Sequence, residues 1–220
     1  MKIQNCENKV NFTSNPLHNV KLKKITKRTQ NGFVNAVFSE LNPRDLKGDV
    51  AAIKKIQNDW GNAGWLLEDF CEGFDSGSSP SCKYYAIEQP EGRLLKDKII
   101  GLIQVSQFPV KNAPMQKKLE LVKLITKPKF SSKNRSREIT GIGEVMLAEV
   151  FNIARNTKVK FVDFSPYDKG FYFNTFKEAG MNFLKPTETG KYHIKKSFFD
   201  KYLKYCENKY GFKFPSMDKR

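Results

Sequence analysis

The sequence predicts a mixed α/β fold that contains a parallel pair of strands. Three consecutive segments support this prediction: a strand-like run over Leu119–Thr126, a helical run over Val145–Arg155, and a second strand-like run over Val159–Phe164. A strand–helix–strand unit of this length implies parallel strands joined by a right-handed crossover. The apolar residues of the helical run form one broad face, so we expect this helix to pack on a sheet.

A glycine-containing turn, Thr140–Glu144, leads into the predicted helix. Gly141 and Gly143 have no Cβ, so an anion can approach the backbone closely, and the N-terminus of the helix adds partial positive charge. The segment is therefore either a phosphate-binding turn or an ordinary tight connection. It is not the dinucleotide-binding fingerprint, because Met146 stands where the third glycine of that motif belongs.

Upstream of this unit, the alternation of apolar and polar residues predicts three strands and two helices. The first helix is expected to be capped by Asn42 or Asp45, with Pro43 in its first turn. Gly101 weakens a strand interior or marks a bulge. In chain order the elements are a strand at Phe33–Phe38, a helix through Trp60, a helix at Ala63–Phe74, and strands at Tyr84–Glu88 and Ile99–Phe108.

Downstream, the pattern predicts a helix at Asp168–Ala179 that ends at the glycine cap Gly180, and a late strand at Lys191–Lys196. Aromatic and aliphatic residues at helical spacing then predict an amphipathic helix over Ser197–Tyr210. That helix either packs on the domain or contacts a second subunit. The second arrangement would make the protein a homodimer.

The chain divides into three predicted parts: a basic N-terminal extension at 1–29, a domain at 30–196, and a C-terminal helix with a basic tail at 197–220. The extension is expected to be disordered before Val20, or else to lie along the sheet. It has no long apolar stretch, so we expect neither a secretion signal nor a membrane span. The four cysteines are scattered, which predicts a reducing cytoplasm and no metal site.

Four segments together resemble the GNAT superfamily of N-acetyltransferases. They are a strand closed by a proline (Glu120–Pro128), a loop that opens a helix (Glu138–Gly143), a second strand (Val159–Phe164) and a helix end with an aromatic residue and a glycine (Thr175–Met181). The resemblance implies a mostly antiparallel sheet with one splayed parallel pair, flanked by helices. It also implies transfer of an acetyl group from acetyl-CoA to a primary amine.

By this resemblance, the pantetheine arm of acetyl-CoA would pair with the backbone of one strand, and the loop would hold the pyrophosphate through its N–H groups. Glu138 departs from the family pattern, which has Gln or Arg there, and the adjacent Arg137 is a candidate replacement. The implied donor-binding residues are Leu124, Ile125, Thr126, Arg137, Thr140, Gly141, Ile142, Gly143 and Glu144.

The catalytic residues implied by the resemblance fit the family pattern less closely than the donor-binding residues do. Glu120 is the candidate base, since a carboxylate there would deprotonate the acceptor ammonium; the alternative is an ordinary solvent-facing glutamate. Phe176 replaces the frequent catalytic tyrosine of the family. Tyr172, one helical turn earlier, is the candidate acid, or else a core residue. His193 is a minor candidate for a catalytic base, and Asp163 is a minor candidate for a catalytic residue.

The net charge of +16 allows an alternative function, binding rather than catalysis. Clustered cations bind phosphate backbones, so the basic tails suit an anionic partner such as a nucleic acid. No RNA-recognition, zinc-finger or helix-turn-helix motif accompanies them. The alternative to an active enzyme is therefore a catalytically weakened module that binds acyl-CoA, nucleic acid or a protein partner.

Overall fold

The computed structural model describes residues 15–25, 32–45, 48–60, 65–75, 81–89, 98–110, 113–131, 138–182 and 184–215. These residues form one eight-stranded sheet with helices on both faces. In chain order the strands are β1 (Asn15–Lys24), β2 (Gly32–Leu41), β3 (Cys82–Glu88), β4 (Ile99–Val110), β5 (Ala113–Thr126), β6 (Ile139–Thr140), β7 (Phe161–Phe164) and β8 (Tyr192–Lys195). Their order across the sheet is β6-β1-β2-β3-β4-β5-β7-β8.

Within the described ranges, five α-helices cover the sheet, and two short 3₁₀ turns lie at Pro128–Phe130 and Lys196–Phe198. The helices are α1 (Asp49–Asp59), α2 (Trp65–Asp75), α3 (Ile142–Asn156), α4 (Lys169–Glu178) and α5 (Phe199–Tyr210). All of the helices and strands that the sequence predicts are present, with shifted ends.

The predicted parallel pair is β5 and β7, joined by α3, while the other described strand pairs are antiparallel. This topology confirms the predicted fold class. The two faces of the sheet have separate cores. One core packs α1 and α2 on β2, β3, β4 and β5. The other packs α3, α4 and α5 on the opposite face.

The N-terminal part of the chain corrects one expectation. Asn15–Lys24 is strand β1, which lies inside the sheet between β2 and β6. Val20 and Leu22 point into the core and are almost fully buried. Of the two alternatives for this segment, the structure therefore shows the strand from Asn15 onward, and a boundary at residue 30 does not coincide with the start of the sheet. The division into three parts otherwise remains a prediction.

Helix α1 begins later than expected, at Asp49 rather than just after Asn42 or Asp45. The carboxylate of Asp45 accepts a hydrogen bond from the N–H of Gly48 at 3.1 Å, and the backbone N–H of Asn42 donates to Asp49 Oδ2 at 2.6 Å. These bonds hold a turn ahead of the helix, so Pro43 lies in that turn and not in the first helical turn.

Gly101 lies beside a bulge, which is one of the two alternatives predicted for it. The β3–β4 register shifts between Ile87 and Glu88, next to the Ile87–Gly101 pair. A Cβ on Gly101 would come within 2.5 Å of Met146 Sδ and 3.1 Å of a methyl group of Ile142. The absence of a side chain therefore lets the first turns of α3 pack directly on β4.

Two polar residues of α3, Glu149 and Asn152, are buried and do not face solvent. Glu149 is fully buried and its carboxylate lies 2.8 Å from Nε2 of His18 in β1, while Asn152 Nδ2 donates to its other oxygen at 3.4 Å. Burial raises the pKa of Glu149, and the bond to His18 opposes that shift only in part. A buried polar contact therefore joins the N-terminal strand to the central helix.

Helix α5 takes the first of its two predicted roles, since its apolar side packs on α3 within the same chain. Phe199 stacks on Phe151 of α3 at 5.3 Å, and Tyr202 meets the same ring edge-on at 5.2 Å. Among the described residues, Cys71, Cys82 and Cys206 are free thiols. The described helices include none that is both long and apolar enough to cross a membrane.

Candidate functional site

The first turn of α3 has the backbone geometry expected of an anion-binding helix start. Gly141 is the N-cap and has a left-handed conformation (φ 85°), and no side chain caps the helix. The first intrahelical bond runs from the N–H of Val145 to the carbonyl of Gly141 at 2.9 Å. The N–H groups of Ile142, Gly143 and Glu144 precede that bond, so they have no acceptor within the helix.

Both glycines of the turn are in close contact with aromatic rings. A Cβ on Gly141 would overlap the hydroxyl end of Tyr210, and a Cβ on Gly143 would lie 3.0 Å from the ring of Phe171. The first turn of α3 is therefore enclosed by α5 on one side and by α4 on the other. The spacing of the glycines is explained by this packing as well as by the proposed approach of a phosphate.

The side chain of Glu144 is held by α5. Its Oε2 accepts a hydrogen bond from the Tyr210 hydroxyl at 2.9 Å and lies 2.8 Å from Lys209 Nζ. Burial alone would lower the pKa of Lys209, but hydrogen bonds to Glu144 and Glu178 outweigh it and raise that pKa. The carboxylate of Glu144 is thus balanced by a cation, and its backbone N–H remains at the start of the helix.

Strands β5 and β7 separate after two paired residues. Leu119 pairs with Val162 and Glu120 pairs with Asp163, whereas β5 continues to Thr126 and β7 ends at Phe164. In the described part of the chain, residues 121–126 of β5 pair only with β4. This leaves a sheet edge where an extended ligand can form backbone hydrogen bonds.

A bulge in β5 marks the point of separation. The register shifts so that Val122 is the extra residue between the Gln104–Lys123 and Val105–Leu121 pairs. It reverses the alternation of side chains: Leu121 packs in the core under α3, whereas Ile125 packs in the core under α2. Sequence analysis missed this bulge, although the adjacent apolar pair Leu121–Val122 breaks the period of two.

The part of β5 beyond its two pairs with β7 ends beside the first turn of α3. Thr126 is the register partner of Gly101, and Gly101 packs against Ile142 and Met146. Of the predicted donor-binding residues, the structure therefore brings two groups together, one on the strand and one on the loop: Leu124, Ile125 and Thr126, and Thr140, Gly141, Ile142, Gly143 and Glu144. Arg137 lies outside the described residues.

Glu120 belongs to a polar row that crosses three strands on one face of the sheet. Glu120, Asp163 and His193 are successive register partners on β5, β7 and β8. Lys191 Nζ lies 4.0 Å from Glu120, and Lys118 Nζ lies 3.3 Å from Asp163. About a third of the Glu120 side chain is exposed. The row as a unit was missed by sequence analysis, because β8 is separated from β7 by 27 residues.

Tyr172 and Phe176 lie on the other face, in an aromatic cluster with Phe164 and Tyr192. The ring of Tyr172 lies 4.7 Å from that of Phe164, and Phe176 meets Tyr192 edge-on at 5.3 Å. Phe176 is 1% exposed and Tyr172 is 7% exposed. Burial raises the pKa of Tyr172, so its hydroxyl keeps its proton. Both residues contribute to the core, and the catalytic role of Tyr172 remains a prediction.

A cavity of about 440 Å³ lies at the opposite end of α3, among Leu17, Tyr85, Leu119, Ile153 and Thr157. Ile153 is 12 residues beyond Gly141, or roughly 18 Å along a helix. The cavity is therefore separate from the loop and the strand edge described above. Among the described residues, no group of three His, Cys, Asp or Glu side chains is arranged to hold a metal ion.

Comparison with known proteins finds similarity in fold only. No protein-family model matches the chain, and no curated protein matches its sequence. Solved structures that resemble it include a GNAT family acetyltransferase from Staphylococcus aureus, with 14% identity over 61% of this chain and 88% of that one (TM-score 0.42).

Two further structures have a comparable similarity. One is an aminoglycoside acetyltransferase from an uncultured soil metagenomic sample, with 11% identity over 69% of this chain and 91% of that one (TM-score 0.44). The other is the NatC complex bound to Gag peptide and CoA, with 12% identity over 73% of this chain and 95% of that one (TM-score 0.46). The sheet order, the single described parallel pair and the helix that joins it agree with the mixed sheet that the sequence predicts.

Proposed function

We propose that this chain is an N-acetyltransferase that moves an acetyl group from acetyl-CoA to a primary amine. The observation that supports this best is the meeting of two free backbone surfaces. The unpaired edge of β5 ends at Thr126, next to the helix start at Gly141 and Ile142. A ligand with an extended amide arm and a pyrophosphate matches these two surfaces in order.

In this proposal the pantetheine arm of acetyl-CoA lies along Leu124, Ile125 and Thr126 and forms the hydrogen bonds of an added strand. The N–H groups from Thr140 to Glu144 hold the pyrophosphate, where the helix N-terminus favours negative charge. The thioester then reaches the gap between β5 and β7, just beyond the Glu120–Asp163 pair. A backbone N–H of β5 polarises the thioester carbonyl and stabilises the oxyanion.

Glu120 is the proposed base. Its carboxylate takes a proton from the acceptor ammonium, directly or through water, and the free amine attacks the thioester carbon. The new C–N bond forms as the C–S bond breaks, and Tyr172 is the proposed donor of a proton to the departing thiolate.

Binding of the donor is tested by following the melting temperature during titration with acetyl-CoA and with free coenzyme A. A ligand at 100 times its dissociation constant stabilises the folded chain by about 2.7 kcal/mol. Gly143→Glu should abolish the shift, because it places bulk and negative charge at the phosphate site against Phe171. No shift with the wild-type chain at millimolar ligand, or an undiminished shift with the variant, would contradict the proposed loop.

Catalysis is tested by release of the coenzyme A thiol with lysine, spermidine, kanamycin and a peptide with a free amino terminus. These probes represent four acceptor classes. Glu120→Gln should lower turnover on the order of 100-fold or more while donor binding stays nearly unchanged. Full activity of Glu120→Gln at every pH would mean that Glu120 is not the base.

A second candidate function is a catalytically weakened module that binds acyl-CoA, nucleic acid or a protein. The observation that favours it is the burial of Phe176, a residue without an ionisable group, at the position where the resemblance places a catalytic tyrosine. The charge of +16 suits an anionic partner for the basic ends of the chain. Binding of acetyl-CoA without turnover of any amine probe would favour this module over the enzyme.

A further inference from the structure

A histidine–aspartate pair lies on the same row as Glu120. Nδ1 of His193 lies 2.7 Å from Asp163 Oδ1, and the other carboxylate oxygen of Asp163 lies 3.3 Å from Lys118 Nζ. An ionised carboxylate only accepts hydrogen bonds, so Nδ1 must carry the proton in this contact. The neutral imidazole then has its lone pair on Nε2, so Nε2 is the atom that can accept a proton.

The ring of His193 is also fixed in orientation. It packs on Phe161 with ring centroids 4.3 Å apart, and Phe161 lies two residues before Asp163 on β7. His193 is 40% exposed at its side chain, whereas Asp163 is 19% exposed. The pair therefore has a half-buried, anchored end and an end open to solvent, as a group that exchanges protons with water requires.

Acetylation of an amine removes two protons from nitrogen. An ammonium R–NH₃⁺ becomes the amide R–NH–CO–CH₃, so one proton leaves before the attack and the second leaves after the C–N bond has formed. One of the two is balanced by the proton gained by the coenzyme A sulfur, and the other goes to solvent. A single carboxylate at Glu120 can hold only one of them at a time.

We propose that Nε2 of His193 takes the second proton, held in position by Asp163, and returns it to solvent. This inference rests on the proposed acetyltransferase function. Glu120, Asp163 and His193 occupy one row on three adjacent strands. Neighbouring strands are spaced roughly 4.8 Å apart, so the backbones of Glu120 and His193 lie about 9.6 Å apart, and a water chain can connect an acceptor nitrogen at Glu120 with Nε2 of His193. Asp163 is a positioning residue, because it acts through His193.

The tautomer is tested first, without any substrate. Nitrogen-15 NMR of the histidine side chains distinguishes Nδ1–H from Nε2–H, and His18→Gln identifies the signals of the other histidine. We expect the neutral ring of His193 to carry its proton on Nδ1, and Asp163→Asn to abolish this preference. A neutral ring with the proton on Nε2 would overturn the proposal whatever the activity of the enzyme.

The kinetic test uses His193→Gln, whose side-chain amide can still donate to Asp163 but cannot act as a base. Lys195→Gln is the matched control, because Lys195 is the next exposed residue on the same face of β8. The probe is whichever of lysine, spermidine, kanamycin and the peptide the wild-type enzyme acetylates fastest. We expect kcat to fall on the order of 100-fold for His193→Gln with little change in the KM of the amine, and within twofold for the control.

The pH profile separates a catalytic role from a structural one. Asp163 faces His193 from β7, Glu120 and Lys118 lie on the same face of β5, and Lys191 and Lys195 are the charged residues two positions before and after His193. With His193 in place, kcat should depend on pH, and His193→Gln should remove one limb of that dependence. An unchanged profile with active wild type would overturn the role of His193 alone. Absence of turnover by the wild type would overturn the proposed function and this role together.

Discussion

Replacing Gly141 by alanine tests how closely the first turn of α3 is enclosed. Gly141 has φ 85°, and a residue with a Cβ in the left-handed region costs about 1–2 kcal/mol. The added Cβ would also overlap the end of the Tyr210 side chain, and overpacking of a closed site costs about 1–3 kcal/mol. We therefore expect the free energy of unfolding to fall by about 2–5 kcal/mol.

Gly190→Ala is the matched control, because Gly190 has a similar φ of 76° but no atom within 4 Å of an added Cβ. This variant should lose only the backbone contribution, about 1–2 kcal/mol. The difference between the two variants isolates the contact with Tyr210. Urea unfolding followed by circular dichroism measures both, and thermal melting should show a fall of roughly 2–4 °C per kcal/mol for a chain of this size.

Equal destabilisation of the two variants would refute the reasoning, because it would show that Tyr210 moves aside without cost. The double variant Gly141→Ala with Tyr210→Ala provides a second check. Removing the ring leaves space for the new Cβ, so the double variant should lose less than the sum of the two single losses. An additive result would mean that the two residues do not compete for the same space.

Three other substitutions test separate parts of the structure. Burial raises the pKa of Glu149 above the unfolded value of about 4.3, so the folded state binds more protons between those two values and its stability falls as pH rises through them. Glu149→Gln should remove that loss, and melting curves whose pH dependence is unchanged would contradict the assignment. Asp168 accepts the N–H of Phe171 at 3.0 Å as the N-cap of α4, so Asp168→Ala should lower the stability by about 1 kcal/mol and Asp168→Asn should not; equal melting temperatures would rule out the cap. Burial raises the pKa of Cys71 to about 12, so iodoacetamide at pH 8 should label this thiol only after unfolding, and rapid labelling of the folded chain, detected by mass spectrometry, would show that the site opens.

Local patterns in the sequence were sufficient to predict the elements around α3. The apolar face of α3 and the glycine at its start are both set by residues close together in the chain. Each expresses a preference of neighbouring residues, which periodicity and capping rules capture. The parallel β5–β7 pair followed from the same signals, because a crossover of this length leaves few other arrangements.

Contacts between distant residues were not predictable in the same way. The pairing of β1 with β6 and the bond between Asp163 and His193 both depend on which strands become neighbours. A single sequence does not carry that information, since any exposed histidine and aspartate have the same local signature. The polar row beside Glu120 therefore became visible only when the order of the strands was known.

The pairing of β1 with β6 has a consequence for the order in which the chain folds. Lys23 pairs with Thr140, and the N–H of Ile25 donates to the carbonyl of Glu138 at 2.7 Å. These contacts close loops of more than 100 residues immediately before the turn at Gly141. Contacts of such large sequence separation carry a high entropic cost and form slowly. During synthesis, β1 therefore cannot pair with β6 until more than 100 later residues have been made. The candidate phosphate-binding turn takes its final position only after those residues have been synthesised.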